Sequence, residues 1–333
     1  MRRRAFLLSV PGLIAGPAWG AKVQYPTVRP GYKLQFPRDH GAHPEYRTEW
    51  WYVTGWLDGP MGFQVTFFRA RPQEQSDNPS SFNPRQVLVA HAAIADPKRG
   101  RLIHEERAAR AGLTLAHAET ERTGVWIDDW RLVLEGDKYH SQIAAREFDL
   151  DLTFFTSDRP LLQGEAGFSR KGHRPEEASY YYSRPHLHVV GSVNGRQIDG
   201  AAWLDHEWSS AYLAPEAAGW DWTGINLFDG GSLTAFRMRG KKGGVHYAPP
   251  GVTFEPIRLW KSPRTGVEYP VSMKVKKGNI QLLLEPLMDD QELDARASTG
   301  TIYWEGAVRA FAGGNEVGRG YLELTGYWKP MTL

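Results

Sequence analysis

The chain has 333 residues, with 40 Lys/Arg against 38 Asp/Glu and a formal charge of +2. That balance, without a long basic run, argues against a polyanionic partner, and no nucleic-acid binding is expected. The absence of cysteine excludes disulfides, thiol catalysis and a cysteine-linked lipid anchor, while 35 Gly, 22 Pro and a 12% aromatic share suit short strands and turns better than long helices.

Residues 1–20, MRRRAFLLSVPGLIAGPAWG, read as an export signal rather than as part of the fold. Arg2 to Arg4 precede the modest apolar stretch Ala5 to Ala18, and Ala18-Trp19-Gly20 places small residues at both recognition positions of a cleavage site before Ala21. Arg3-Arg4-Ala5-Phe6-Leu7 fits a twin-arginine pattern, so a periplasmic or secreted location is expected. No later segment is apolar enough to span a bilayer as a helix.

Beyond the signal, apolar residues alternate. GFQVTFFRAR sets Phe63, Val65 and Phe67 on one face, and DLDLTFFTS alternates Leu150, Leu152 and Phe154 with acids and Thr153. VRAFAGGNEVGRGYLELTGYW reads strand, Gly-Gly turn, strand. Period-two patterns broken by Gly, Asn, Asp and Pro predict an all-β protein. Two short helices are predicted, over 105–111 and 292–297.

An internal repeat sets the architecture. WYVTGWLDG (Trp51 to Gly59) matches WDWTGINLFDG (Trp220 to Gly230), and FRAR from Phe68 matches FRMR from Phe236. Trp203-Leu204-Asp205 precedes Trp208 as Tyr321-Leu322-Glu323 precedes Trp328. A duplicated β module follows. The N-terminal barrel is assigned to residues 21–208, a linker to 209–219 and the C-terminal barrel to 220–333. Closing each sheet on itself removes its exposed edges.

Chemistry concentrates in GAAWLDHEWSSAYLAPEAAGWDWTG, Gly200 to Gly224. Trp203, Trp208, Trp220 and Trp222 surround Asp205, His206 and Glu207. Burial among indoles raises a carboxyl pKa and keeps an acid protonated near neutrality. Protonating an isolated alkene needs such an acid, a base for water and π faces to stabilise the cation. In a strand, Trp203, Asp205 and Glu207 share one face, and Leu204, His206 and Trp208 share the other. The alternative is structural: Asp205 pairing with Arg184, and Glu49 with Arg47 or Arg69. His43, His91, His104 and His117 are scattered and there is no H-E-x-x-H, so neither a metal nor another cofactor is expected. No G-x-S-x-G, P-loop or strand-linked G-x-G-x-x-G occurs.

EYRTEWWYVTGWL, SYYYSRPHLHVVGSV, GAAWLDHEWSS and GWDWTGINLFDG together resemble the AttH-like, or carotenoid 1,2-hydratase (hydroxyneurosporene synthase), superfamily. The resemblance covers nearly all of the chain after the signal. It implies two lipocalin-like antiparallel barrels packed side by side, with activities that include hydration of acyclic carotenoids. It also implies a proton donor in a Tyr-x-Asp-His-x-Trp segment. Here Asp205, His206 and Trp208 match, with Trp203 in place of the tyrosine. The family's upstream His-x-Trp corresponds to His186-Leu187-His188, with His188 in place of the tryptophan.

The candidate catalytic residues are therefore Asp205, His186, His188 and Glu49, with His206 and Glu207 as further bases. The candidate ligand-binding residues are Trp50, Trp51, Tyr182, Trp203, Trp208, Trp220 and Trp222. The expected partner is an apolar small molecule, isoprenoid or lipid-like. Three classes stay open: a cofactor-free hydratase-like enzyme, a non-catalytic lipid carrier, and an accessory of a membrane export system. The sequence does not indicate the oligomeric state.

Overall fold

The computed structural model describes residues 23–73, 85–112, 114–156 and 159–332. Residues 1–20, read from the sequence as an export signal, lie outside the described residues.

Two curled, barrel-like antiparallel sheets make a lipocalin-like, all-β fold. In the first, Thr48–Leu57 lies between Met61–Ala70 and Arg196–Ser209, and Arg196–Ser209 pairs on its other side with Ala178–Val193. In the second, Ala217–Leu227 lies between Ser232–Gly240 and Asn315–Leu324. Each sheet thus places its first strand beside its last long one, which curls the meander round on itself. Each interior has its own apolar core, one around Trp51, Phe63, Leu132 and Trp208, the other around Met273, Leu284, Trp304 and Leu322.

A third apolar cluster joins the sheets. Tyr52, Trp56, Ala93 and Trp203 of the first pack against Trp222, Phe236, Tyr303 and Tyr321 of the second. Strand alternation explains it: Val53 and Leu204 turn into the first barrel, while Tyr52 and Trp203 turn outward to the seam.

Two sequence expectations change. Residues 105–111 fall mostly in the strand Arg101–Arg110, which pairs over ten residues with Val87–Asp96. Residues 292–295 form a strand against Thr301–Ala312. The Glu- and Ala-rich compositions favour a helix locally, but ladder pairing overrides that weak preference. Among the described residues the helical pieces are single 3-10 turns, Arg38–His40 and Pro97–Arg99.

The repeat also has a different internal register from the one its motifs imply. Phe68 is opposite Trp50, whereas Phe236 is opposite Trp222. Trp51 faces the first barrel's core, whereas Trp220 faces the seam. By facing and by pairing with the closing strand, Trp50 and Tyr52 occupy the places that Trp220 and Trp222 take in the second sheet. Tyr52 is opposite Asp205, and Trp222 is opposite Glu323. A one-residue offset in a strand moves a side chain to the other face, which is why the aligned letters diverge in space.

Gly224 shows how tightly the seam is packed. A Cβ there would lie 2.6 Å from the Trp222 ring and 3.0 Å from that of Trp203. Gly224→Ala should lower stability by about 1–3 kcal/mol through overpacking. Thermal unfolding checks this, and an unchanged Tm would show that the indoles move aside freely.

Candidate functional site

Between the sheets lies a cavity of about 290 Å³. Trp50, Tyr52, Phe68, Tyr212, Trp220, Trp222 and Tyr303 supply aromatic walls, and Asp205, Glu207 and Glu323 supply carboxyl groups. Tyr212, from the segment joining the two sheets, meets Trp50 and Trp220 edge-on at centroid distances of 4.7 and 5.4 Å.

Asp205 is 4% exposed and held by three donors. The Tyr181 hydroxyl donates to Oδ2 at 2.7 Å. Ser183 and the Trp203 indole donate to Oδ1 at 2.5 and 2.7 Å. The Trp222 indole donates to the Tyr181 oxygen at 3.0 Å, so Trp222, Tyr181 and Asp205 form a directed chain. Burial pushes the Asp205 carboxyl up to about 7, against these three donors, which favour the charged form. Neighbouring Glu207 adds to the rise.

Glu207 pairs with buried Lys171 at 2.6 Å and accepts from Ser179. Burial raises the Glu207 carboxyl and lowers the Lys171 ammonium, while each holds the other charged. The Lys171 ammonium also sits over Phe236, Tyr181 and Tyr212 at 4.0, 4.8 and 5.1 Å from the ring centroids. Glu323 accepts from the Trp220 indole at 2.7 Å. Burial pushes it up to about 7, and Asp205 and Glu207 push in the same direction.

His91, Ser298 and Tyr303 form another wall. His91 Nδ1 is 2.7 Å from the Tyr303 hydroxyl, and its Nε2 is 2.9 Å from Ser298 Oγ, which donates to Glu106. Burial lowers His91 to about 3, so it stays a neutral imidazole. With Ser298 donating to Glu106, His91 Nε2–H donates to Ser298 and Nδ1 accepts from Tyr303.

The predicted residues separate into two groups. Asp205, Glu49, Trp50, Trp220 and Trp222 border the cavity, and Trp203 supports Asp205 from beside it. Trp51, Tyr182, Trp208 and His206 lie inside the first barrel. There Trp208 stacks on His43 at 3.8 Å and Trp51 stacks on His206 at 4.8 Å. The Glu49 carboxylate belongs to this inner network. It accepts from Arg69 Nε at 2.7 Å, and its Oε1 lies 2.7 Å from His43 Nδ1 and 2.9 Å from His206 Nε2. Arg69 and His43 outweigh burial and hold it well below the ordinary carboxylate range. The Glu49 carboxylate is thus engaged by Arg69, His43 and His206. His43, Glu49 and His206 bring ligand atoms within 4.8 Å of one another, but these hydrogen bonds and the Arg69 pair already use the carboxylate.

The two upstream histidines lie elsewhere. The strand is irregular between Arg184 and Leu187, and His186 adopts a positive φ of 54°. His186 borders a separate polar cavity of about 460 Å³, where its Nε2 meets Gly231 O at 2.8 Å. His188 is on the surface, 2.9 Å from Asp199. Neither reaches the carboxyl-lined cavity.

Sequence reasoning missed Glu323, Lys171, Tyr181, Ser183 and Tyr212 as site residues. The Tyr-Leu-Glu echo of Trp-Leu-Asp was a usable signal for Glu323. Lys171, in a polar turn sequence, had none.

The AttH-like family model matches residues 27–327. A crystal structure of an AttH from Nitrosomonas europaea is 48% identical, with a TM-score of 0.84, covering 91% of this chain and all of the other. Kievitone hydratase from Nectria haematococca is 15% identical with a TM-score of 0.61, covering 93% of this chain and 98% of the other, a likeness of fold. No curated protein sequence matches.

Proposed function

The chain belongs to the AttH-like family, and from that premise we propose that it is a cofactor-free, hydratase-like enzyme acting on an apolar alkene in the cavity between the sheets. The observation that carries this reading is Asp205: an acid on the cavity wall, buried among indoles and oriented by Tyr181, Ser183 and Trp203. A neighbour of the same fold is named as a hydratase, which agrees with the reading.

The reaction follows from the groups present. Protonated Asp205 gives its proton to the less substituted alkene carbon, and the π electrons form the new C–H bond. The cation left on the more substituted carbon faces Trp50, Trp220 and Trp222, each contributing on the order of 2 kcal/mol when desolvated. A water oxygen bonds to that carbon and yields its proton to Glu207, whose charged form Lys171 stabilises at 2.6 Å. Transfer of that proton back to Asp205 closes the cycle. A cavity of about 290 Å³ lies at the lower end of the usual ligand-pocket range. It suits a small terpenoid or one end of a longer chain. The signal-like pattern of residues 1–20 supports a periplasmic location for this enzyme.

The test uses acyclic alkenes with a trisubstituted terminal double bond, of graded length, in H₂¹⁸O. One ¹⁸O should enter per product molecule. The rate should fall as pH rises through about 7, because Asp205 acts in its protonated form. Binding without isotope incorporation at any pH from about 5 to 8 would leave a carrier in place of the enzyme.

A further inference from the structure

Glu323 has no part in the proposed reaction, yet it lines the same cavity from the opposite sheet. Its position is the counterpart of Asp205. Asp205 is opposite Tyr52 and Glu323 is opposite Trp222, and the rings of Tyr52 and Trp222 meet edge-on at 5.3 Å. Each carboxyl also accepts from an indole, Asp205 from Trp203 and Glu323 from Trp220. Two sheets thus bring one acid each to a single aromatic chamber. We propose that Glu323 is a second reactive-site carboxyl, and that with Asp205 it makes the cavity selective for apolar species carrying a positive charge.

The charge balance around Glu323 supports this. On its own sheet Glu305 is directly opposite, buried against Tyr52, and burial and Glu323 hold it well above the ordinary range. From the first sheet Asp205 faces it, together with Glu207, whose charge Lys171 balances. His91, on a neighbouring wall, is neutral. Glu49 on the same wall is paired with Arg69 at 2.7 Å, so among the charged carboxyls lining the cavity Asp205 and Glu323 are the two without an ion-pair partner among the described residues, and a cation bound between them relieves their mutual repulsion. Aromatic faces favour the same sign of charge. In the proposed reaction, which this inference extends, the species that gains most is the carbocation.

The experiment uses hexyltrimethylammonium, whose charge does not vary with pH, and its neutral isostere 2,2-dimethyloctane. Both are titrated by tryptophan fluorescence at pH 8.5, above the values of about 7 for both carboxyls. Wild type should prefer the cation by about 10-fold or more. Glu323→Gln and Asp205→Asn should each reduce that preference by several-fold. An exposed control, Glu268→Gln, should behave as wild type. Equal binding of the two probes by wild type, or an unchanged preference in Glu323→Gln, overturns the inference. Near-ultraviolet circular dichroism of each variant separates loss of fold from loss of charge. A cation preference without alkene hydration defeats the reaction and spares this inference, and hydration without a cation preference does the reverse.

Discussion

Asp205→Asn should lose turnover by roughly 10²-fold or more, the usual cost of removing a general acid, while ligand affinity for a neutral alkene holds. The amide keeps the side chain's shape and can still accept from Trp203 and Ser183 through its oxygen, but it has no acidic proton to give. Stability provides a second readout with an opposite sign. The folded pKa of Asp205 is raised to about 7 from 3.8, so the native state binds the proton more tightly than the unfolded chain does. The corresponding stability is fully present below about pH 4 and is lost as pH rises through 7. Above that, wild type holds a buried carboxylate that Asn lacks. Asp205→Asn should therefore be more stable than wild type by roughly 1–4 kcal/mol at pH 8, with the difference shrinking towards pH 4. A variant that loses turnover and also loses stability at pH 8 would mean that Asp205 is a structural ion, and the acid role would fall.

The strand alternation that separates Asp205 from His206 was legible in the sequence. Period two alone put Trp203, Asp205 and Glu207 on one face, and that face is the seam. The W-x-x-T-G repeat found the two sheets but not their register, because one residue of slip exchanges the inner and outer faces while leaving the letters similar. Trp50 and Trp51 are both ligand-contact candidates in the sequence, yet the two point to opposite sides of one strand. His186 and His188 are candidates through the resemblance's His-x-Trp, but the strand is irregular before Leu187, His186 takes a positive φ there, and His188 is exposed beside Asp199. Lys171 illustrates what no local pattern carries. Its partner Glu207 is 36 positions away in the chain, and the pairing depends on how a polar turn folds over Tyr181, Tyr212 and Phe236. Glu49 was read with both roles open. Its choice of Arg69 follows from cross-strand pairing, since the two residues are directly opposite one another.

That buried pair sets a large stability effect. Arg69→Met should destabilise the fold by about 3–5 kcal/mol, the range for a buried ion pair that loses one partner. Arg69 is 2% exposed and Glu49 is 0% exposed, so water cannot replace the lost guanidinium. The guanidinium also donates to Gln86 Oε1 at 2.7 Å, His43 O at 2.9 Å and Tyr46 O at 3.1 Å, and all three acceptors would lose that donor together. Methionine fills most of the volume, so the loss measures charge and hydrogen bonding rather than a cavity. The pH dependence follows from the remaining partners. Glu49 is held below its ordinary 4.5, so its contribution is present above that value and lost as pH falls through its folded pKa. Burial lowers the His43 imidazole, but Glu49 and Asp39 outweigh it and raise the ring above 6.5, so its contribution is complete below that value and is lost as pH rises. The network is therefore strongest between about pH 4.5 and 6.5. In Arg69→Met the Glu49 carboxyl loses its main counter-charge and its pKa rises, so the acid limb of the stability profile should move to higher pH. Adding Glu49→Gln should recover part of the loss, because the double variant no longer buries an unbalanced carboxylate. Urea denaturation at constant m-value reads each step. A loss under about 1 kcal/mol for Arg69→Met, or a double variant that is the sum of two independent losses, would show that the pair is solvated in solution and does not anchor the barrel.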